Sequence, residues 1–123
     1  MRETIKAFKV LSDETKLRIL NILLERECCV CEVMQALEIS QSRASRGLTA
    51  LYDAGFLKLK KDGLWSLYSI DSDGMVDYVS ELVVAVKKSL ANSKTAAMDK
   101  IRLKKTERVG PRCLRVSNKV AVS

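Results

Sequence analysis

Apolar residues recur along the first half of the chain at helical spacing. Ile5, Ala7, Phe8 and Val10 mark a short segment from Thr4 to Val10. Ser12, followed by Asp13 and Glu14, then predicts a helix start: a hydroxyl to cap it and two carboxylates in the first turn, where the helix dipole favours them. Leu17, Ile19, Leu20, Ile22, Leu23 and Leu24 give that helix a wide apolar face to about Glu25. Val30, Val33, Met34 and Leu37 keep the spacing in a short helix. Ile39-Ser40 breaks it, and Ser40 is placed to cap a helix over Gln41–Ala54 that buries Ala44, Leu48 and Leu51. Gly55 follows as its stop.

The period then changes. Phe56, Leu57 and Leu59 precede Lys60-Lys61-Asp62-Gly63, and Leu64, Trp65, Leu67, Tyr68 and Ile70 follow. Asp-Gly between two partly alternating runs predicts a β-hairpin. A helical stripe returns from about Ser72 or Asp73, through Met75, Val76, Val79, Leu82, Val83, Val86 and Leu90, and Met98, Ile101 and Leu103 extend it. From Arg108 on, with Gly110-Pro111, the pattern predicts a mobile tail. The order is α-α-α-α-β-β-α, a mainly α (α+β) winged helix-turn-helix over residues 1–93, with a basic C-terminal extension over 94–123. The second helix of such a pair enters the major groove of DNA.

Length and composition narrow the function. The 123 residues suffice for one domain. No apolar run approaches the roughly 18–20 residues of a membrane span, and the N-terminus lacks a signal peptide's apolar stretch, so a cytoplasmic protein without membrane attachment is expected. The absence of histidine excludes Ser–His and Cys–His catalysis and leaves only sulfur and oxygen to ligate a metal. Net charge is +7, but residues 1–93 hold 13 basic and 13 acidic side chains, and the excess sits in 94–123, with 9 basic and 2 acidic. Within the neutral body, residues 41–61 carry Arg43, Arg46, Lys58, Lys60 and Lys61 against Asp53 alone. That is a local basic face.

Opposite the buried side of the 41–54 helix stand Gln41, Ser42, Arg43, Ser45 and Arg46. Arginine forks onto guanine, glutamine onto adenine, and serine onto phosphate or base edge. Lys58, Lys60 and Lys61 on the hairpin suit phosphate, and equally protect an exposed strand edge. One such domain covers a half-site, and Val79, Leu82, Val83 and Val86 on the last stripe are the expected homodimer surface, unless that stripe packs into the chain's own core.

Three of the four cysteines, Cys28, Cys29 and Cys31, crowd the stretch "ERECCVCEV"; the fourth is Cys113. In a reducing compartment these are reactive or metal-binding thiols more readily than disulfides. On a regular helix Cys28 and Cys31 share a face and Cys29 and Cys31 do not, so a site using Cys29 with Cys31 requires non-helical backbone. A nearby helix N-terminus is expected to lower the thiol pKa.

With these motifs in order, the chain resembles the ArsR/SmtB family of metal- and metalloid-sensing repressors over roughly residues 5–90. "LSDETKLRILNIL" resembles the family's second-helix signature, "CVCEVMQAL" its metal box and short helix, "SQSRASRGLTALYDAGFL" its recognition helix and stop, and "KKDGLWSLYSI" its wing. The chain departs from the family at Gly47, where a histidine is common, and at Met34, where some arsenic sensors have a third cysteine. No cysteine precedes Cys28. The resemblance implies a homodimeric repressor, not an enzyme, that leaves its double-stranded operator DNA when an inducer binds. Cys29 and Cys31 match the box, and Ser42, Ser45 and Arg46 the recognition helix. It implies trivalent arsenic or antimony, soft ions suited to thiolates, with Cys28 favoured over Cys113 as third sulfur. On that reading the ligand deforms the start of the short helix and spoils the geometry of the 41–54 helix. The alternatives are a thiol redox sensor, a cadmium, lead or bismuth sensor, a small thiol-dependent metalloid reductase, and an architectural DNA protein.

Overall fold

A computed structural model describes residues 1–108. Across them run α1 (Arg2–Leu11), α2 (Glu14–Leu23), α3 (Val30–Leu37), α4 (Gln41–Asp53), β1 (Leu57–Asp62), β2 (Trp65–Ile70), α5 (Asp77–Ser89) and α6 (Lys94–Leu103). The expected mobile tail and Cys113 lie outside the described residues, apart from Arg108.

The helix pair at the centre follows from its end signals. Asp13, rather than Ser12, caps α2, accepting from the Lys16 N–H at 3.0 Å. Ser12 instead closes α1, its hydroxyl donating to the Lys9 carbonyl. Helix α3 ends at Glu38, in the left-handed region at φ 56°. Its last carbonyls are taken by guanidinium groups from either side: Arg18 donates to Leu37 O and Arg102 to Ala36 O. Three residues later α4 begins, capped by Ser40 on the Arg43 N–H. Ile19, Leu20, Val33, Ala44, Leu48, Leu51 and Phe56 fill the core between α2, α3, α4 and the hairpin base. Gly47 lets α4 approach α2, because a Cβ there would collide with the Ile19 Cδ1. That contact explains the glycine at a position where the family often has a histidine.

The hairpin is antiparallel, with Asp62 opposite Trp65, so its two-residue loop is Gly63-Leu64 and not Asp62-Gly63. Gly63 has φ +62° and Leu64 is not left-handed, as a type II′ turn requires. Helix α5 starts later than expected, at Asp77. Asp71 draws residues 71–75 into a turn, its side chain accepting from Gly74 N and its carbonyl from Met75 N.

The last stripe is two helices. Leu90 ends α5, and Ser93 caps α6 by accepting from the Ala96 N–H. Met98 and Ile101, expected to extend the stripe, are exposed, whereas Ala96, Asp99 and Leu103 are buried. Asp99 binds Arg18 through both carboxylate oxygens, at 2.9 and 2.8 Å, and Arg102 at 2.7 Å. Thus residues 94–103, assigned from sequence to an extension beyond 93, pack on α2 and α3.

Candidate functional site

The thiols sit where an extended segment becomes a helix. Cys28 is in extended backbone and exchanges hydrogen bonds with Tyr68 of β2, at 3.0 and 2.9 Å. Cys29 follows as the N-cap of α3, also extended (φ −87°, ψ 170°), and Cys31 lies in the first turn. Side chains of successive extended residues point to opposite sides. Cys28 therefore enters the main core, while Cys29 and Cys31 turn into a separate cluster with Leu67 and Trp65. Their sulfurs are 3.0 Å apart. The non-helical backbone that a Cys29–Cys31 site requires is already present, so joining these two needs no deformation of the helix start. Cys28 is not brought to the pair, and the described residues hold no group of three metal-ligating side chains.

Glu32 organises this corner. It is buried, accepts from the Cys29 N–H at 3.0 Å, and meets Arg26 at 2.6 Å and Arg108 at 2.8 Å. Arg26 also donates to the Leu103 carbonyl and the Thr106 hydroxyl, and Gln35 exchanges hydrogen bonds with the backbone of Glu107. The chain beyond α6 is thereby drawn over the thiol segment. Burial pushes the Glu32 carboxyl up, but the bonds from Cys29, Arg108 and Arg26 outweigh it and hold it below its usual range. The expected lowering of the thiols does not occur. Burial, reinforced by the Glu32 charge, pushes Cys28 up to about 12. Burial also raises Cys29, against a lowering by the N–H of Glu32.

Sequence reasoning missed Glu32, Arg26, Gln35 and Arg108. A signal existed for one of them: Glu32 stands three residues after Cys29, the spacing of a capping box.

On α4, Ser42, Arg43 and Arg46 are exposed, and Gln41 and Ser45 are half-buried and bonded to each other. Arg43 turns back to donate to Thr15 at 2.7 Å. With Lys16, Arg46, Asp13 and Gly47 these residues line a cavity of about 110 Å³ at the α2–α4 junction. Lys16 is a further cation on this face. Lys58, Lys60 and Lys61 are exposed on β1. The set forms one basic surface of helix and wing, suited to phosphate and base edges.

The expected dimer residues are corrected in part. Val79, Val83 and Val86 are buried in the chain's own core and Leu82 is half-buried against it, because they form the inward stripe of α5. The exposed apolar side chains are Val76 and Val84 around α5, and Met1, Ile5 and Phe8 at α1.

Residues 13–58 match a family described as "Bacterial regulatory protein, arsR family". The chain is 38% identical over 109 residues to the arsenic resistance transcriptional regulator ArsR1 of Pseudomonas putida, covering 84% of this chain and 81% of that one. It is 39% identical over 82 residues to a cadmium resistance transcriptional regulatory protein CadC homolog of Staphylococcus aureus, covering 66% and 64%. Among solved structures it resembles HlyU from Vibrio cholerae, with TM-score 0.63, 25% identity, and 74% and 95% of the two chains covered. No described helix is long and apolar enough to cross a membrane.

Proposed function

The chain belongs to the arsR family of bacterial regulatory proteins, and from that we propose that it is a homodimeric repressor released from double-stranded operator DNA when trivalent arsenic, or antimony, binds Cys29 and Cys31. One observation carries the reading: the two sulfurs lie 3.0 Å apart at the start of α3. Taking a metal–thiolate bond of about 2.3 Å as guide, two such bonds at a right angle place their sulfurs about 3.3 Å apart. A small shift therefore admits one soft atom between them.

For the third sulfur, the surroundings favour Cys113 over Cys28. Recruiting Cys28 means withdrawing it from the main core and breaking its two bonds to Tyr68. Cys113 follows Arg108 by five residues, and Arg108 is anchored on Glu32 beside Cys29. Five residues reach at most about 17 Å. Glu32 itself is committed to Cys29 and two arginines, which disfavours a site completed by carboxylate, as a harder cadmium-type site would use. Binding a third ligand strains the box, α3 shifts on α4, and the Gln41–Asp53 helix loses its fit to the groove. The coupling is reciprocal, so operator DNA weakens inducer binding by the same factor. Two copies span half-sites about 34–36 Å apart, and the exposed Ile5, Phe8 and Val84 are the apolar surface available for pairing.

The test is fluorescence anisotropy of operator binding under reducing conditions at fixed salt, with arsenite titrated. Arsenite release is expected in wild type and lost in Cys29→Ser and Cys31→Ser, with Cys113→Ser impaired more than Cys28→Ser. Tight binding that ignores arsenite would sink the reading. The contact of the Cys29 and Cys31 sulfurs also supports a redox-sensing alternative; release by peroxide without arsenite would favour it.

A further inference from the structure

The thiol segment is fastened to the wing at three points. Cys28 and Tyr68 exchange backbone hydrogen bonds, so residue 28 adds one position of a third strand outside β2. Glu27 pairs with Lys60 of β1 at 3.5 Å. The Cys29–Cys31 pair shares its cluster with Leu67 and Trp65 of β2 and with no residue of the main core. Apart from Leu57, β1 is exposed along its whole length. The distal wing is therefore held from the β2 side, and there the thiol cluster is its floor.

We infer that the wing is an output of the thiol site in its own right. Leu67 and Trp65 are positioning residues: they seat β2 on the paired sulfurs, and an ion bound to Cys29 and Cys31 unseats it. The reason is packing. Leu67 and Cys31 are about 1% exposed and Cys29 about 3%. Close-packed interiors have no room for an additional heavy atom without a neighbour moving. The main core holds α3 from the other side, so β2 is the neighbour that yields. Unseating β2 withdraws Lys58 and Lys61 from the DNA backbone, a route separate from α3 acting on α4. The inference rests on the arsenic-responsive reading above.

Two experiments on the full chain test it. In the first, amide hydrogen exchange is followed by NMR without DNA, in reducing buffer, with and without saturating arsenite. The amides of Tyr68 and Cys28 should lose protection by about tenfold, while that of Val83 in α5 holds. Arsenite bound with Tyr68 and Cys28 unchanged overturns the inference, as does arsenite that does not bind. In the second, operator affinity is measured with and without arsenite for wild type and for Lys58→Gln/Lys61→Gln. The variant has no wing contacts left to lose, so its arsenite-induced loss should be smaller. The salt slope of the arsenite-bound wild type should fall by about 1.8, the value for two phosphate contacts. Equal arsenite-induced losses in the two proteins overturn the inference. Faster wing exchange with operator affinity unmoved would instead sink the release reading and leave the thiol–wing coupling standing.

Discussion

Asp99→Asn tests whether α6 belongs to the packed body. The Asp99 side chain is fully buried and takes three hydrogen bonds, two from Arg18 and one from Arg102. The same two arginines close the C-terminal end of α3 through Leu37 O and Ala36 O. Asparagine keeps the volume, removes the charge, and turns an N–H₂ toward donors. Removing one partner of a buried ion pair costs about 3–5 kcal/mol when the other charge is stranded. Here Arg18 and Arg102 retain 18% and 27% side-chain exposure, so water screens part of the loss, and about 2–3 kcal/mol is expected. For a chain of this size that lowers Tm by about 8–12 °C. The assay is urea unfolding followed by helical circular dichroism at one fixed protein concentration, because a dimer's stability depends on it. Arg18→Gln completes a double-mutant cycle with an expected coupling of about 1 kcal/mol or more. A loss below about 0.5 kcal/mol for Asp99→Asn, the size of an ordinary surface change, would refute the reasoning and return α6 to a loosely attached extension.

Gly47→Ala gains about 1 kcal/mol of helix propensity but drives a methyl into the buried Ile19. Overpacking costs about 1–3 kcal/mol, so a net loss near 1 kcal/mol in urea unfolding is expected, and stabilisation would contradict the close α2–α4 approach. Glu32 has its folded pKa held below the unfolded value of about 4.3, so its stabilisation is present above that pH and is lost as pH falls through the lower folded value. Glu32→Gln should flatten this acid limb and cost about 2 kcal/mol at pH 7, as hydrogen bonds to a charged group imply; an unchanged acid transition would refute it. Cys28, raised to about 12 by burial, should escape iodoacetamide at pH 8 in the native protein and react on unfolding. Mass spectrometry resolves this, and native labelling of Cys28 at the rate of a free thiol would show that the core around it opens.

How much was legible in the sequence depended on whether a residue's face and its chemistry agreed. Helices α2 to α4 were legible because Ile19, Leu20, Leu48 and Leu51 are both apolar and buried. The winged order followed from Ser40, Gly55 and Gly63, each placed by capping or turn geometry. Helix α6 was obscured because its inward face carries Asp99, while Met98 and Ile101, which carry the apolar signal, face outward. A buried carboxylate satisfied by two arginines from distant positions has no local signature. The stripe of α5 suggested a partner surface because the small body seemed unable to cover it, yet the chain's own core buries Val79, Val83 and Val86.

The thiols show the same limit at closer range. Spacing alone paired Cys28 with Cys31, because i and i+3 meet on a helix. The pairing reverses because Cys28 belongs to an extended segment bonded to Tyr68, forty positions later in the chain. Once that bridge forms, Cys28 is committed to the core, Cys29 must take the N-cap, and its sulfur turns to Cys31 without strain. Glu32 then completes the capping box and gathers Arg26 and Arg108. The arrangement of the site is thus decided by a contact between the thiol segment and the wing. A change at the sulfurs has a mechanical path to the DNA-facing hairpin for the same reason that the sulfurs meet at all.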